Sequence, residues 1–240
     1  MGKLLLIPTP IGNLGDITVR GKEALAEADC IYAEDTRTSR KLLNLLGIQG
    51  TLRSFHMHNE HDTVDQVIAS IQSSQGHVAL ISDAGTPGIS DPGFLLVRAC
   101  IEAGIQVESL PGATAIIPAL VGSGIPCDRF VFEGFLPVKK GRKKRIESWV
   151  GEMRTLAFYE SPHRIAKSLK ECAEAMGPDR EACVAREISK LFETFHRGTL
   201  AELAEHFSQH KAKGEMVVVI AGARAKAKTS KSSSTQETRT

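Results

Sequence analysis

Residues 78–93 read Val-Ala-Leu-Ile-Ser-Asp-Ala-Gly-Thr-Pro-Gly-Ile-Ser-Asp-Pro-Gly. The four apolar residues at the start predict a buried strand, and a helical pattern begins at Phe94. The segment between them therefore follows a strand, and in open α/β sheets ligands bind at this end of the strands. Glycine lets a backbone approach a bound molecule closely, and proline fixes φ and holds a loop in shape. We expect residues 82–93 to form a ligand-binding loop.

The same loop also has a purely structural interpretation. Gly and Pro occur in many turns, and Asp91-Pro92 can cap the following helix. No Gly-Lys-Ser or Gly-Lys-Thr follows, so the loop is not a Walker phosphate loop, and the G-x-G-x-x-G pattern is absent. We expect Asp83 and Asp91 to brace the loop rather than to take part in chemistry.

Length and composition indicate a globular protein. The chain has 240 residues, of which 42% are hydrophobic and 24% charged, which allows one large domain or two modest ones. The apolar stretch at residues 115–121 is too short to span a bilayer, and the start predicts a first strand rather than a signal peptide. The five cysteines are odd in number and lack C-x-x-C spacing, which favours a reducing cytoplasm over a disulfide framework or a zinc site.

The first half of the chain alternates short apolar runs with amphipathic windows. Strands are predicted at residues 4–8, 30–33, 78–81 and 107–110, and helices at 19–28, 40–46, 64–71 and 95–103. This alternation requires crossover connections and predicts a mostly parallel sheet. We expect an N-terminal α/β domain over residues 1–111.

The second half is richer in strands. Strands are predicted at residues 130–132, 156–159, 182–185, 191–195 and 216–220, and helices after residue 112 and at 143–150, 165–176 and 200–206. This pattern predicts a C-terminal α/β domain with a mixed sheet over residues 112–222, with the boundary near Pro111. Residues 223–240 are rich in Lys, Ser and Thr and have little to bury, so we expect a disordered tail.

Two further loops follow predicted strands. Residues 8–16 follow the first strand and precede Thr18, which stands where a helix N-cap is expected. Glu34, Asp35 and Arg37 follow the second strand. Together with residues 82–93, these loops predict one crevice at the carboxyl edge of the sheet. The three charged residues can equally form a salt-bridged helix start.

Eight ordered segments resemble the tetrapyrrole methylase superfamily, and within it the members that methylate ribosomal RNA. They are residues 8–14, 33–37, 82–93, 110–112, 133–137, 158–164, 186–190 and 213–216, within a match from about residue 4 to residue 222. The resemblance implies two α/β domains with S-adenosylmethionine in the cleft between them, usually in a homodimer. It also implies methylation of the ribose 2′-hydroxyl of a cytidine in the decoding region of 16S rRNA in the small ribosomal subunit.

By the same resemblance, backbone-rich loops hold the cofactor. The implied cofactor-binding residues are Ile11, Gly12, Ala84, Gly85, Thr86, Ile89, Thr114, Ala115, Glu160, Ile188 and Met216. S-adenosylmethionine can be held by backbone N–H and C=O groups with few charged side chains. Methyl transfer is an in-line displacement that requires no metal, and we predict no metal ligands.

Four charged residues are candidates for the catalytic, substrate-facing side of the cleft. A ribose hydroxyl loses its proton more readily beside a base or a cation that stabilises the alkoxide. Asp35, Glu187 and Lys190, with Arg37 as a phosphate or alkoxide contact, cluster in two of the resembling segments that cofactor binding does not obviously require. Structural ion pairing among them is the alternative.

Two other segments have open interpretations. Residues 139–145 read Lys-Lys-Gly-Arg-Lys-Lys-Arg, a basic run that suits RNA phosphates or, alternatively, a solvated helix start. Residues 56–61 read His-Met-His-Asn-Glu-His, but the spacing fits neither H-E-x-x-H nor a zinc-finger pair, so we interpret them as a loop that caps a helix.

Two other functions also stay open. A methylase acting on a tetrapyrrole ring would keep the cofactor loops but would not need the basic run. A non-catalytic RNA-binding protein would keep the basic run without the cofactor loops. The resemblance also departs at the end of the chain, because many members continue beyond residue 222 into a helical segment thought to aid substrate recognition, whereas a low-complexity tail follows here.

Overall fold

The computed structural model describes residues 2–56 and 60–223, with the side chains of residues 60–62 outside the description. Within these ranges the chain forms two five-stranded sheets, one from residues 3–109 and the other from residues 130–220. The tail predicted to be disordered lies outside the described residues from residue 224 onward. The predicted loop at residues 56–61 falls partly outside them as well.

The first sheet is entirely parallel, which confirms the expectation from the alternating pattern. Its strands are β1 (Lys3–Leu6), β2 (Cys30–Ala33), β3 (Leu52–Ser54), β4 (His77–Ile81) and β5 (Val107–Ser109). The strand order is β3-β2-β4-β1-β5. The carboxyl ends of all five strands therefore meet at one edge, where the loops after β1, β2, β4 and β5 begin.

Helices cover both faces of this sheet. They are α1 (Val19–Glu27) and α2 (Thr36–Leu46) on one face, and α3 (Glu60–Ser73) and α4 (Phe94–Glu102) on the other. Along β1, Leu4 and Leu6 pack in the cluster with α3 and α4, whereas Leu5 and Ile7 pack in the cluster with α1 and α2. Burial on both faces explains why the strands are continuous apolar runs in the sequence.

Three elements of the first sheet region differ from the sequence prediction, and one of them is α3, which begins at Glu60 instead of Val64. α2 begins at Thr36 instead of Arg40, because Asp35 caps the helix and its carboxylate accepts a hydrogen bond from the N–H of Arg37. β3 is absent from the prediction. It is a three-residue edge strand with Arg53 and Ser54 exposed, so its sequence carries no apolar run.

The second sheet is mixed, as predicted. Its strands are β6 (Phe130–Phe135), β7 (Thr155–Glu160), β8 (Glu181–Arg186), β9 (Thr194–Thr199) and β10 (Met216–Ile220), in the order β6-β7-β10-β8-β9. β6 and β7 are parallel and the other pairs are antiparallel. The strand predicted at residues 191–195 is wrong at its start, because Leu191 and Phe192 are exposed in a turn and β9 begins at Thr194.

Helices also cover both faces of the second sheet. They are α5 (Ile116–Ser123) on one face, and α6 (Arg142–Ser148), α7 (Ile165–Met176) and α8 (Leu200–Gln209) on the other. Although α5 follows β5 in the chain, it packs against the second sheet. The predicted boundary at Pro111 lies between these two elements, and the division into two domains stays a prediction.

All five cysteines lie among the described residues and are free, and four of them are buried. Burial raises the pKa of Cys172 to about 12, so this thiol stays protonated at neutral pH. In the part of the chain that the structure describes, no helix is long and apolar enough to cross a membrane.

The loop after β5 packs closely on the loop after β1. A Cβ atom at Gly112 would lie 2.6 Å from the Cβ of Pro8, well inside van der Waals contact. The absence of a side chain at Gly112 therefore lets the two loops approach each other.

We expect Gly112→Ala to lower the free energy of unfolding by about 1–3 kcal/mol, because the added methyl group must displace a buried proline ring. Urea unfolding followed by circular dichroism measures the change. Gly151→Ala is the matched control, since a Cβ at Gly151 meets no atom within 4 Å and φ there is not positive. The control should change stability by at most about 0.5 kcal/mol. Equal losses for both variants would contradict this explanation.

Candidate functional site

The loops after β1 and β4 are joined at the carboxyl edge of the first sheet. The N–H of Thr9 donates to the carbonyl oxygen of Gly85 at 2.9 Å, and the N–H of Gly85 donates to the carbonyl oxygen of Thr9 at 3.0 Å. The Thr9 hydroxyl also donates to the carbonyl oxygen of Ser82 at 3.1 Å. Gly85 has a φ of +84°, which glycine adopts without strain. The two loops form one hydrogen-bonded unit.

A cavity of about 320 Å³ lies between this unit and the second sheet. The first half of the chain contributes Ile11, Asp83, Ala84, Gly85, Thr86, Ile89, Ser90, Asp91, Thr114 and Ala115. The second half contributes Phe135, Tyr159, Glu160, Ser161, Pro162, Ala185, Ile188, Gly214, Glu215, Met216 and Val217. The lining is mostly apolar with a few polar groups, which is typical of a site for a small organic molecule.

The fold brings ten of the eleven predicted cofactor-binding residues into this lining. They are Ile11, Ala84, Gly85, Thr86, Ile89, Thr114, Ala115, Glu160, Ile188 and Met216. Gly12 is the exception; it packs on Lys190, and a Cβ at residue 12 would overlap the Cγ of that side chain. Gly12 therefore accommodates the Lys190 side chain, and the role of the other ten in binding stays a prediction.

The carboxylate of Glu160 forms hydrogen bonds and ion pairs with residues from the second half of the chain. The N–H of Ser161 donates to Oε1 at 2.7 Å, and the Ser168 hydroxyl donates to Oε2 at 2.6 Å. The Arg164 guanidinium lies 2.7 Å from Oε1, and the Arg142 guanidinium lies 3.7 Å from Oε2. The Glu160 side chain is fully buried. Its carboxylate thus holds the loop after β7 against the cavity.

The predicted basic run divides into a buried part and an exposed part. Arg142 is only 5% exposed, and its guanidinium donates to Glu171 Oε2 and to Ser168 Oγ, both at 2.6 Å. Arg145 pairs with Glu133 at 2.8 Å. Arg142 is therefore part of the protein interior, and the interpretation of residues 139–145 as one surface patch is wrong at this position.

Four lysines of the run remain at the surface, and Lys143 lies 3.7 Å from Glu147. Lys139, Lys140 and Lys144 are exposed, and among the described residues none of them has an ion-pair partner. Phe135 lines the cavity four residues before Lys139, and the intervening segment is held by Arg164, which donates to the carbonyl oxygen of Leu136 at 3.3 Å. The exposed lysines thus begin close to the edge of the cavity.

Asp35 and Arg37, two of the predicted substrate-facing residues, form an ion pair outside the cavity lining. Nη2 of Arg37 lies 2.8 Å from Oδ2 of Asp35, and the Arg37 side chain is 88% exposed. Hydrogen bonds from Arg37 lower the pKa of Asp35 to about 2. Asp35 is therefore ionised at neutral pH and has a low affinity for a proton.

Glu187 and Lys190 form the second predicted pair, also outside the lining. Nζ of Lys190 lies 3.0 Å from Glu187 Oε1 and 3.1 Å from Glu215 Oε2. The N–H of Glu215 donates to Glu187 Oε1 at 2.9 Å and is the main cause of the lowered pKa of Glu187. Ile188 and Glu215 line the cavity, so this pair stands at its rim. The contacts agree with the ion-pairing alternative, and the catalytic role stays a prediction.

Asp83 and Asp91 both line the cavity but differ in their surroundings. Oδ1 of Asp83 accepts a hydrogen bond from the N–H of Asp35 at 3.1 Å, so Asp83 braces two loops. Burial raises the pKa of Asp91 to about 7, helped by the negative charges of Glu34 and Asp83. Glu34 follows a different strand; the sequence predicted that their two loops share one crevice, but it did not predict the raised pKa of Asp91.

Two aromatic residues of the second sheet were also absent from the predicted site. The rings of Phe135 and Tyr159 lie 5.3 Å apart between centroids, and Phe135 is 57% exposed at the edge of the cavity. Burial is the main cause of the raised pKa of Tyr159, which therefore stays protonated. Both residues fall in segments that carry the family resemblance, and this resemblance could have placed them in the predicted site.

The histidine-rich segment at residues 56–61 lies only partly within the described residues. Among the described residues, no group of three or more His, Cys, Asp or Glu side chains could hold a metal ion. Residues 57–59 lie outside the description, and the predicted loop at residues 56–61 is wrong at its end, because Glu60 and His61 belong to α3.

We expect Arg142→Ala to lower the free energy of unfolding by about 3–5 kcal/mol, because it leaves the buried Glu160 carboxylate without one of its two cations. Lys140→Ala is the control from the same basic run, and it should change stability by at most about 0.5 kcal/mol because Lys140 is exposed. Denaturant unfolding measures the stability of both variants and so tests whether residues 139–145 contain a buried residue, Arg142, and an exposed one, Lys140. Similar stabilities would contradict it.

Sequence relatives cover almost the whole chain. A protein of Synechocystis sp. (strain ATCC 27184 / PCC 6803 / Kazusa) named ribosomal RNA small subunit methyltransferase I is 49% identical over 224 residues, which are 93% of this chain and 80% of the relative. Relatives with the same name are 47% identical in Escherichia coli O157:H7, over 93% of this chain and 79% of the relative, and 43% identical in Thermotoga maritima, over 92% and 99%.

Solved structures share the fold at lower identity. The methyltransferase CobJ has a TM-score of 0.69 and 22% identity, covering 93% of this chain and 95% of that one. Diphthine synthase has a TM-score of 0.70 and 16% identity, covering 92% and 90%. Uroporphyrin-III C-methyl transferase from Thermus thermophilus, solved with S-adenyl homocysteine, has a TM-score of 0.63 and 19% identity, covering 92% and 97%.

The family model of the tetrapyrrole (corrin/porphyrin) methylases matches residues 3–204. The match includes the whole first sheet and four of the five strands of the second, β6 to β9. It also includes every cavity-lining residue except those at 214–217. With these sheets, this cavity and relatives that are 43–49% identical, the chain belongs to the tetrapyrrole (corrin/porphyrin) methylase family.

Proposed function

We propose that this chain is an S-adenosylmethionine-dependent methyltransferase of small-subunit ribosomal RNA, and that its acceptor is the ribose 2′-hydroxyl of a cytidine in the decoding region. The observation that carries the proposal is the cavity between the two sheets, which combines two backbone-rich loops with a mostly apolar lining. The high identity to relatives named for ribosomal RNA methylation supports the substrate class.

The cavity fits S-adenosylmethionine in size and chemistry. Its volume of about 320 Å³ is within the range of small-molecule sites, and Gly85 and Thr86 offer backbone groups for polar contacts. Ile11, Ile188 and Met216 offer apolar surface for the uncharged parts of the cofactor. When bound, the cofactor supplies a methyl group on a positively charged sulfur.

The protein's own contribution is to hold the reacting groups in line and to exclude water. The paired backbone hydrogen bonds of Thr9 and Gly85 fix one wall of the cavity before any ligand binds. The buried network around Glu160 fixes the loop after β7 on the other side. A preorganised site of this kind lowers the barrier of a displacement reaction because the alignment is already established.

The exposed lysines support an RNA acceptor. Lys139, Lys140 and Lys144 add positive charge beside Phe135, whose exposed ring offers a stacking surface to an unpaired base. We propose that the RNA strand follows these lysines into the cavity.

The predicted substrate-facing residues fit contacts with the RNA around the acceptor nucleotide. The Arg37 side chain is exposed and can reach a phosphate while Asp35 orients it. Lys190 is partly exposed at the rim between Glu187 and Glu215. We propose that these residues position the RNA rather than act on the reacting oxygen.

We also propose a homodimer. Large apolar side chains are exposed on two helices, Phe94 and Ile101 on α4 and Val121 on α5, at 64–70% exposure. Contact with a second copy of the chain would remove this apolar surface from water.

The first test is tritiated methyl transfer to small ribosomal subunits from cells that lack this protein, with the product mapped to its nucleotide and atom. We expect stoichiometric labelling of one cytidine ribose, and saturable binding of S-adenosylmethionine by calorimetry. Labelling of a nucleobase instead of a ribose, or methyl transfer only to a porphyrinoid substrate, would contradict the proposed acceptor. Absence of S-adenosylmethionine binding would contradict the proposed enzyme.

A second test concerns the lysines. We expect the triple variant Lys139→Ala/Lys140→Ala/Lys144→Ala to reduce the slope of log affinity for RNA against log salt concentration by about 2, because each lost phosphate contact removes about 0.7 from the slope. The matched control is Lys22→Ala/Lys41→Ala/Lys170→Ala, which removes three exposed lysines from α1, α2 and α7. Calorimetry should give unchanged S-adenosylmethionine affinity in both. Equal salt slopes in the two variants would refute the interface.

A further inference from the structure

The cavity lining carries four carboxylates, and only one of them lacks a cationic neighbour among the described residues. Glu160 is paired with Arg142 and Arg164, and Glu215 is paired with Lys190. Asp83 accepts a backbone hydrogen bond from Asp35 and is near the charge of Arg37, although burial raises its pKa. Asp91 has no such cation, and its charged neighbours are the carboxylates of Glu34 and Asp83.

Asp91 is held in a partly buried position on the loop after β4. Burial is the largest influence on its proton affinity, the charges of Glu34 and Asp83 act in the same direction, and a side-chain hydrogen bond with Ser82 acts against them. Tyr159, from the second half of the lining, is close enough for its own ionisation to be affected by Asp91. Together these groups bring the pKa of Asp91 to about 7, where a general base works best at neutral pH.

The residues next to Asp91 are arranged at the edge of the cavity. Ser90 has a φ of +65°, a strained conformation for a residue with a side chain, and such strain clusters at functional sites. A Cβ at Gly134 would lie 3.5 Å from Ser90 Oγ, so the end of β6 packs on this strained turn. The exposed ring of Phe135 follows directly. Asp91 thus lines the cavity next to a strained residue that packs against the end of β6.

We propose that Asp91 is the proton acceptor for the hydroxyl group methylated in this cavity, a role that rests on the proposed function. The acceptor O–H bond breaks, and its proton passes to a carboxylate oxygen of Asp91. The acceptor oxygen forms a bond to the methyl carbon while the carbon–sulfur bond of the donor breaks, with the electron pair of that bond left on sulfur. The reaction thus neutralises one negative charge on Asp91 and one positive charge on sulfur.

Asp35, Glu187 and Tyr159 are less suited to this role. Arg37 stabilises the charged form of Asp35, and the Glu215 N–H and Lys190 stabilise the charged form of Glu187, so both carboxylates bind a proton weakly. Tyr159 is kept protonated by burial and cannot accept another proton. This assignment replaces our expectation that Asp91 only braces its loop.

The test compares Asp91→Asn with the wild-type protein on small ribosomal subunits, with single-turnover rates of methyl transfer. We expect the rate to fall by about 100-fold or more, because a general base contributes about 10²–10⁴ to the rate. The wild-type rate should rise with pH through an ionisation near pH 7, and the variant should lose this rise. Calorimetry should give an S-adenosylmethionine affinity within about threefold of the wild type, which separates chemistry from cofactor binding.

A second measurement does not depend on activity. The pKa of Asp91 is raised from its ordinary value of 3.8 to about 7, so the folded state holds the proton more tightly than the unfolded state. Unfolding free energy should therefore fall as pH rises between about 4 and about 7, and this contribution should disappear in Asp91→Asn. Denaturant unfolding of the ligand-free proteins across this range measures the difference. If the free energy of unfolding depends on pH in the same way in both proteins, the pKa of Asp91 is not raised and the proposal loses its basis.

The control is Glu102→Gln, which removes one carboxylate from α4, the helix after the Asp91 loop, outside the cavity lining. It should leave the transfer rate unchanged. The proposal is overturned if Asp91→Asn keeps the wild-type rate, or if weaker cofactor binding explains its whole loss. If Asp91→Asn does not fold, a wild-type rate independent of pH between about 5.5 and about 8.5 overturns it as well. Failure of the wild-type protein to methylate ribosomal subunits would instead refute the proposed function.

Discussion

The reciprocal backbone hydrogen bonds between Thr9 and Gly85 are the constraint on which the site depends. They join the loops after two adjacent parallel strands, and Gly85 has a φ of +84° there, which glycine adopts without strain. Because the contact uses main-chain atoms only, it positions the loops while leaving Ile11, Thr86 and Asp91 to line the cavity. Main-chain hydrogen bonds therefore hold this wall of the cavity in place, and the side chains stay available for contacts with a ligand.

The opposite wall is held by charge rather than by backbone pairing. Glu160 ends β7 with a fully buried carboxylate, and Arg142, Arg164 and Ser168 satisfy it. A buried carboxylate without partners would be costly, so the network ties the start of α6 and the first turns of α7 to the cavity. One residue of a basic run thus belongs to the interior, whereas its neighbours Lys139 and Lys140 remain available to an anionic partner.

Neighbouring carboxylates of the same sheet edge have opposite proton affinities. Asp35 caps a helix and is paired with Arg37, which favours its charged form, whereas Asp91 is partly buried beside Glu34 and Asp83, which favours its neutral form. The residue types are the same, and only their surroundings differ. Separated proton affinities of this kind distinguish groups that bind or brace from groups that can exchange a proton.

The sequence by itself determined the parallel sheet, the mixed sheet and the loops that line the cavity. These features depend on local signals, which can be read from one sequence: apolar runs, the positions of glycine and proline, and ordered motifs. It did not determine the short edge strand β3, the early start of α2, the burial of Arg142 or the environment of Asp91. Each depends on partners distant in the chain, such as Glu171 for Arg142 and Glu34 for Asp91. Only the tertiary structure decided these properties, because burial and charge–charge interactions depend on distances through space.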